Sequence, residues 1–191
     1  MRPPGRPVTV MAGIGLTFSP GTTDSLDPRL ILGEIRGAGV THVVTVPDTH
    51  QKSLLELLDD SPSPKLITVC TEDEAMGVNL GVVMGGKRPM LLIQNSGFYA
   101  SMNTIRGLAL DGCVPTMMLI GEFFRDPSTA PGSQSSRIVH LLEPTLDLWR
   151  IPYYRLDHKP DLANLAVAFK RAWAERGPVA VLVGGTTLEI S

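Results

Sequence analysis

Val69-Cys70-Thr71-Glu72-Asp73-Glu74-Ala75, read together with the residues on to Gly97, decides how this chain folds. It continues an apolar run, Leu66-Ile67-Thr68-Val69-Cys70, with the length and β-branched content of a buried strand. Three acidic residues follow at once, and Ala75 to Gly86 then reads as a helix of small and apolar residues, buried on most sides. A second apolar strand, Pro89 to Gln94, ends in the polar turn Asn95-Ser96-Gly97. Carboxylates thus stand at the C-terminal end of one strand and a glycine-containing turn at the end of the next. In an open α/β sheet these ends are where ligands bind.

The acidic cluster has a plain structural use. Carboxylates in the first turn of a helix complement its dipole and cap its free N–H groups. Asp73 and Glu74 are assigned to that use. Glu72 is the functional candidate, because it lies nearest the strand end and precedes a helix too apolar to be solvated.

The 191 residues suffice for one α/β domain, and 43% hydrophobic with 19% charged residues is ordinary for a globular chain. A net charge of −2 and the lack of a basic run argue against nucleic acid as the main partner. No apolar run reaches membrane-spanning length, and Pro3, Pro4, Gly5 and Pro7 interrupt the stretch where a signal peptide would need its apolar core. Cys70 and Cys113 lie in or beside apolar strands and are expected to be buried and reduced, as in a cytoplasmic protein. Residues 1–26, rich in Pro, Gly, Thr and Ser, are expected to form a loose leader, and residues 27–191 the domain.

From Asp27 the chain alternates. Asp27-Pro28 gives an N-cap and an N1 proline for a helix over Arg29–Arg36. Thr41–Val46 has no polar face and is expected in the centre of a parallel sheet. Pro47-Asp48-Thr49 ends it and caps a helix to about Leu58. After Gly97 a helix places Met102, Ile105, Leu108 and Ala109 on one face, and Val114–Ile120 is the fourth strand. Residues 122–136 form a polar loop of the size of a lid or binding loop, with few apolar anchors. A helix over Ile138–Leu148, a short strand Pro152–Leu156, a helix Leu162–Glu175 and a strand Pro178–Val183 complete the chain. The pattern predicts an α/β fold, a six-stranded parallel sheet with helices on both faces.

Neither a dinucleotide fingerprint nor a P-loop occurs, and no serine sits in a nucleophile elbow. The four histidines lack metal-ligand spacing, so no metal ligand is expected on this chain; His50 and His140 are kept as site candidates. A noncatalytic ligand-binding module, or a regulatory subunit that has kept the fold, is the alternative to an enzyme.

Four stretches, in this order, resemble the pyrimidine-binding domain of thiamine-diphosphate-dependent enzymes, and within it the small α subunits of sulfopyruvate and phosphonopyruvate decarboxylases. They are Gly39–Asp48, Thr71–Gly81, Gln94-Asn95-Ser96-Gly97 with Asn103, and Leu146–Tyr153. In the second, Ala75 and Gly81 fall three and nine residues after Glu72, the family's spacing, which selects Glu72 over Glu74. The resemblance implies that Glu72 hydrogen-bonds the cofactor pyrimidine at N1′ and favours the tautomer that takes the thiazolium C2 proton. Pro47, Asn95, Ser96 and Gly97 would then line the cofactor. Asn95, Arg125, His50 and His140 would face a small anionic 2-oxoacid, such as sulfopyruvate or phosphonopyruvate. Arg125 stands two residues beyond the arginine usual in these decarboxylases, so it reads equally as a substrate contact or a surface charge.

The resemblance also exposes an absence. The family holds the diphosphate through Mg²⁺ with a GDG motif and a later asparagine, and Asp111-Gly112 lacks the preceding glycine. A separate β subunit is therefore expected to hold diphosphate and Mg²⁺, in an α₂β₂ or larger complex active only when assembled.

Overall fold

Apolar strands need both faces covered, and this chain covers them with two sets of helices. The structure is a computed structural model that describes residues 23–189. The leader expected over residues 1–26 lies outside the described residues as far as residue 22; residues 23–26 are paired with the rest of the chain. Thr23 donates to the Pro127 carbonyl, Asp24 to that of Asp157, and Leu26 bridges Thr187.

The order is α1 (Pro28–Gly37), β1 (His42–Thr45), α2 (Lys52–Asp59), β2 (Lys65–Thr68), α3 (Glu72–Met84), β3 (Pro89–Gln94) and α4 (Asn95–Ala100). Then follow α5 (Met102–Thr104), which runs into a π-helical turn over Ile105–Asp111, β4 (Thr116–Gly121), α6 (Arg137–His140), α7 (Leu142–Leu148), β5 (Tyr153–Leu156), α8 (Ala163–Glu175) and β6 (Pro178–Val183). The six strands form one sheet in the order β2-β1-β3-β4-β6-β5, every pair parallel.

Side chains alternate across the sheet. Val43, Leu92, Leu119, Val181 and Leu156 meet Ile31, Ile35, Leu54, Leu58 and Phe169 of α1, α2 and α8. Val44, Leu91, Ile93, Met118, Ile120 and Leu182 meet Met76, Phe98, Ile105, Leu142 and Leu146 on the other face. The alternation assigns consecutive residues such as Val43 and Val44 to different cores.

The caps follow the sequence closely. Asp27 accepts from the Arg29 N–H at 2.8 Å with Pro28 at N1, a cap worth about 1 kcal/mol. Arg176 closes α8 with a left-handed φ of 54° where Gly177 was the expected stop.

Several expectations change. The first strand of the opening stretch is not buried: β2 is the sheet edge, its residues half-buried or exposed. Periodicity reports which residues are apolar, and strand order decides which strand has two neighbours. Cys70 and Cys113 are both exposed free thiols, because each falls just outside a strand, in the turn before α3 and in the turn before β4. Helix α3 is not buried on most sides. It packs on β1 and β3, burying Ala75, Met76 and Asn79, and leaves the other flank in solvent with Met84 79% exposed. The helix expected over 138–148 breaks at Leu141, since the Pro144 ring would meet the carbonyl of His140 and offers no N–H to it. Asn95-Ser96-Gly97 is the first turn of α4 instead of a loop. Met102 and Leu108 are only half-buried, while Ile105 and Ala109 form the core side of their segment.

Candidate functional site

Parallel strands place all their C-terminal ends together, and there the candidate residues gather. The chain order runs from β1 out to β2 and back across to β3, so β1 and β3 flank the switch point of the sheet. Asp48 follows β1, the acidic turn follows β2, and Asn95 follows β3.

The three acidic residues separate by what they bond. Thr71 caps α3 by accepting the Glu74 N–H at 3.2 Å, and the Glu74 carboxylate reaches back to the Cys70 N–H at 2.8 Å. That is a capping box closed one residue outside the cap. Asp73 accepts from the Thr104 hydroxyl, which ties α3 to the segment after α4. Among the described residues nothing donates a hydrogen bond to the half-buried Glu72 carboxylate. It lies directly over Gly97, where a Cβ would overlap Oε1, Cγ and Cδ of Glu72. Residues leaving β2 and β3 therefore meet in front of β1, the strand between them.

Asn95 is fully buried and joins two segments. Its Nδ2 donates to the Phe123 carbonyl at 3.1 Å and its Oδ1 accepts the Ser96 N–H at 3.0 Å. Ser96 is exposed, with the Gln94 Nε2 donating to its hydroxyl at 2.8 Å. Pro47 is exposed beside them at the end of β1.

The other candidates lie elsewhere. His50 is buried, and its Nε2 sits 3.0 Å from the Val183 carbonyl at the end of β6. Burial pulls its pKa below the usual histidine value, against the opposing pull of Asp48, the Val183 carbonyl and Glu122. His140 is exposed on α6, a helix that packs against α4. Arg125 is neither a surface charge nor open to solvent, with its side chain 1% exposed. Its Nη1 lies 3.2 Å from Glu122 Oε2 without hydrogen-bond alignment, and none of its three nitrogens makes a hydrogen bond among the described residues. Burial, and after it the Arg155 guanidinium, lower its pKa, while Glu122 and Asp157 act the other way.

Sequence reading missed the cluster that holds Arg125. Arg155 donates to Glu122 at 2.5 Å, to Glu143 at 2.7 Å and to Asp157 at 2.5 Å. Burial pulls the Arg155 pKa down, but the Asp157 and Glu122 carboxylates outweigh it and hold it above the ordinary arginine value. These residues are up to 33 positions apart, so no local pattern announces them. Asp48 was read only as a cap. It is one, accepting from the His50 N–H at 2.9 Å, and Gln51 Nε2 donates to its second oxygen at 3.2 Å. Burial raises its pKa above the usual carboxylate value.

Among the described residues no three His, Cys, Asp or Glu side chains gather as a metal site, and no helix is long and apolar enough to cross a membrane.

No family model matches the chain. The sulfopyruvate decarboxylase α subunit of Methanothermobacter thermautotrophicus is 27% identical over 146 residues, covering 73% of this chain and 88% of that one. That of Methanocaldococcus jannaschii is 28% identical over 129 residues, 65% of this chain and 73% of the other. That of Methanococcus maripaludis reaches 36% over 88 residues, 46% and 53% of the two. The chain resembles sulfopyruvate decarboxylase α subunits. Among solved structures, benzoylformate decarboxylase from Polynucleobacter necessarius superposes with a TM-score of 0.63 at 16% identity, over 88% of this chain. The 2-oxoglutarate:ferredoxin oxidoreductase from Magnetococcus marinus gives 0.64 at 15% over 84%. The chain spans about a third of each of these longer chains, 32% and 29%, and the likeness shows the fold. Sulfopyruvate decarboxylase α subunits are thus matched over most of their own length in two of three cases, whereas the longer enzymes contain this fold as one part.

Proposed function

We propose that this chain is a subunit of a thiamine-diphosphate-dependent 2-oxoacid decarboxylase, and that its part is to activate the cofactor through Glu72. The observation that carries the reading is the separation of the acidic turn. Glu74 and Asp73 are occupied within the protein, while the Glu72 carboxylate is held at the strand ends with no hydrogen-bond donor among the described residues. A carboxylate kept so is available to a ligand nitrogen.

The residues fit the pyrimidine half of thiamine diphosphate. Glu72 offers a hydrogen-bond acceptor, Gly97 gives it a floor without a side chain, and Asn95 fixes the start of α4 beside it. When bound, the cofactor supplies the electron sink for loss of carbon dioxide. Glu72 would accept a hydrogen bond at the ring nitrogen N1′ and so favour the tautomer in which the neighbouring amino group can take a proton. Asn95 and Thr71–Glu74 hold the two helix starts from which this happens.

Asp111-Gly112 lacks the preceding glycine of a GDG motif, and the similar proteins bear the name of an α subunit. The diphosphate and Mg²⁺ are therefore assigned to a second, β-type subunit. The substrate is assigned as a small anionic 2-oxoacid of the sulfopyruvate kind. The work takes place in the cytoplasm on this reading, and the complex is α₂β₂ or larger.

The test is deuterium exchange at cofactor C2 in the complex reconstituted with its partner. General acid–base contributions run to about 10²–10⁴-fold, so Glu72→Gln is expected to slow exchange by at least about 10²-fold with cofactor still bound. Glu74→Gln keeps an acceptor in the capping box and is expected to leave the rate unchanged. Wild-type exchange in Glu72→Gln, or loss in Glu74→Gln, overturns the assignment.

A further inference from the structure

Gly97 carries a constraint that its backbone does not explain. It sits in the first turn of α4 with no left-handed φ to require glycine, and a helical position favours alanine. The helical glycines Gly77 and Gly81 of α3 have open space where a Cβ would go. At Gly97 that space is filled by the side chain of Glu72.

We propose that Gly97 is a positioning residue, whose missing side chain forms the seat that fixes the Glu72 carboxylate at the strand ends. The proposal rests on the reading of Glu72 given above, and gives Gly97 a role other than contact with the cofactor.

Both sides of the contact are anchored. The Gly97 carbonyl accepts from the Ser101 N–H at 3.0 Å and from the Ser101 hydroxyl at 2.8 Å, and Ser101 is fully buried. The start of α3 is fixed by the Thr71–Glu74 box and by the Thr104–Asp73 bond. A Cβ at position 97 would therefore not be relieved by backbone movement. Because Cγ of Glu72 is among the overlapped atoms, turning the carboxylate about its last bond does not clear it either. The whole side chain must leave the seat. The contact also crosses the sheet, since Glu72 follows β2 and Gly97 follows β3, on opposite sides of β1. It sets where the carboxylate stands relative to the switch point.

The experiment is a double-substitution cycle on the full chain, with Gly97→Ala, Glu72→Ala and the two combined. In the wild-type background Gly97→Ala should lower the thermal midpoint by about 2–4 °C or more, the shift expected of a modest steric loss in a chain of this size. In the Glu72→Ala background, where the overlap is gone, the same substitution should leave the midpoint unchanged or raise it. Should Gly97→Ala alone fail to fold, recovery of folding in the double variant reads the same coupling. Equal shifts in both backgrounds overturn the seat. In the reconstituted complex, Gly97→Ala should slow C2 exchange by at least about tenfold, within the range of acid–base contributions, with cofactor affinity changed little. Wild-type exchange in Gly97→Ala overturns positioning even if the stability coupling is present. Failure of the underlying reading shows separately, as wild-type exchange in Glu72→Gln.

Discussion

The Asn95 side chain donates to the Phe123 carbonyl at 3.1 Å, and through this one bond the start of α4 is fastened to the loop that leaves β4. The bond spans 28 residues and crosses between adjacent strands β3 and β4, paired through Gln94 and Gly121. Phe124, the next residue, is held at a φ of +67° and is 69% exposed, so the loop turns sharply where it is fastened.

Asn95→Ala should therefore act on both segments. It leaves the Phe123 carbonyl and the Ser96 N–H without their partner, at a cost of about 1–3 kcal/mol. Urea unfolding should show that loss, and amide exchange of Phe123 and Phe124 should quicken. Unchanged stability together with unchanged exchange would show that the bond carries no weight.

The pH dependence follows from His50. Its pKa in the fold lies below the ordinary 6.5, so the unfolded chain binds the proton first as pH falls. Stability is then fully present above about pH 6.5 and declines below it, by at most about 1.4 kcal/mol per pH unit for one group. Comparing urea midpoints at pH 8 and pH 5.5 should give a smaller acid loss in His50→Gln than in the wild type. An identical loss would place the acid sensitivity elsewhere.

The buried charges predict opposite outcomes for two neighbours. Glu122 is fully buried between two arginines, and Glu122→Gln should cost about 3–5 kcal/mol because it takes the nearest counter-charge from the buried Arg125 and one of three from Arg155. The Arg125 side chain makes no hydrogen bond among the described residues, so Arg125→Met should be near neutral in stability. Denaturant midpoints of the two variants decide this, and an equal loss in both would contradict the geometry.

The loop over residues 122–136 should exchange unevenly. Gln134 is buried and bonds the Asp126 N–H, the Asp126 carbonyl and the Thr129 carbonyl, so polar contacts fasten the loop where apolar ones are few. Hydrogen exchange should be fastest over residues 127–133 and should slow when cofactor and a substrate analogue bind. In Gln134→Ala the whole loop should exchange faster, and a uniform rate in both states would remove the lid.

The sheet was largely legible because its strands are short, apolar and separated by proline, glycine and caps, with Pro178–Val183 matching the expected span. The capping use of Glu74 was legible too, since Thr71-x-x-Glu74 is a helix-start pattern in its own right. Strand order was not legible, and with it went the burial of β2, while Cys70 is exposed because it falls just outside that strand. The Pro144 break was written in the sequence, but the apolar period running through it masked the missing N–H. Arg125 was misplaced for another reason. The cluster around it comes from the loop after β4, from β5 and from α7, and only the closed sheet brings Glu122, Arg155 and Glu143 together.

An all-parallel sheet also has a second end. The connections that enter the strands, at residues 61–64, 85–88, 112–115 and 176–177, lie opposite every candidate residue. At that end residues 85–87 are exposed, whereas Val114 and Pro115 are buried. Affinity tags, fluorescent inserts or new chain ends belong at 85–87, where lengthening a surface connection costs little and leaves the strand exits as they are.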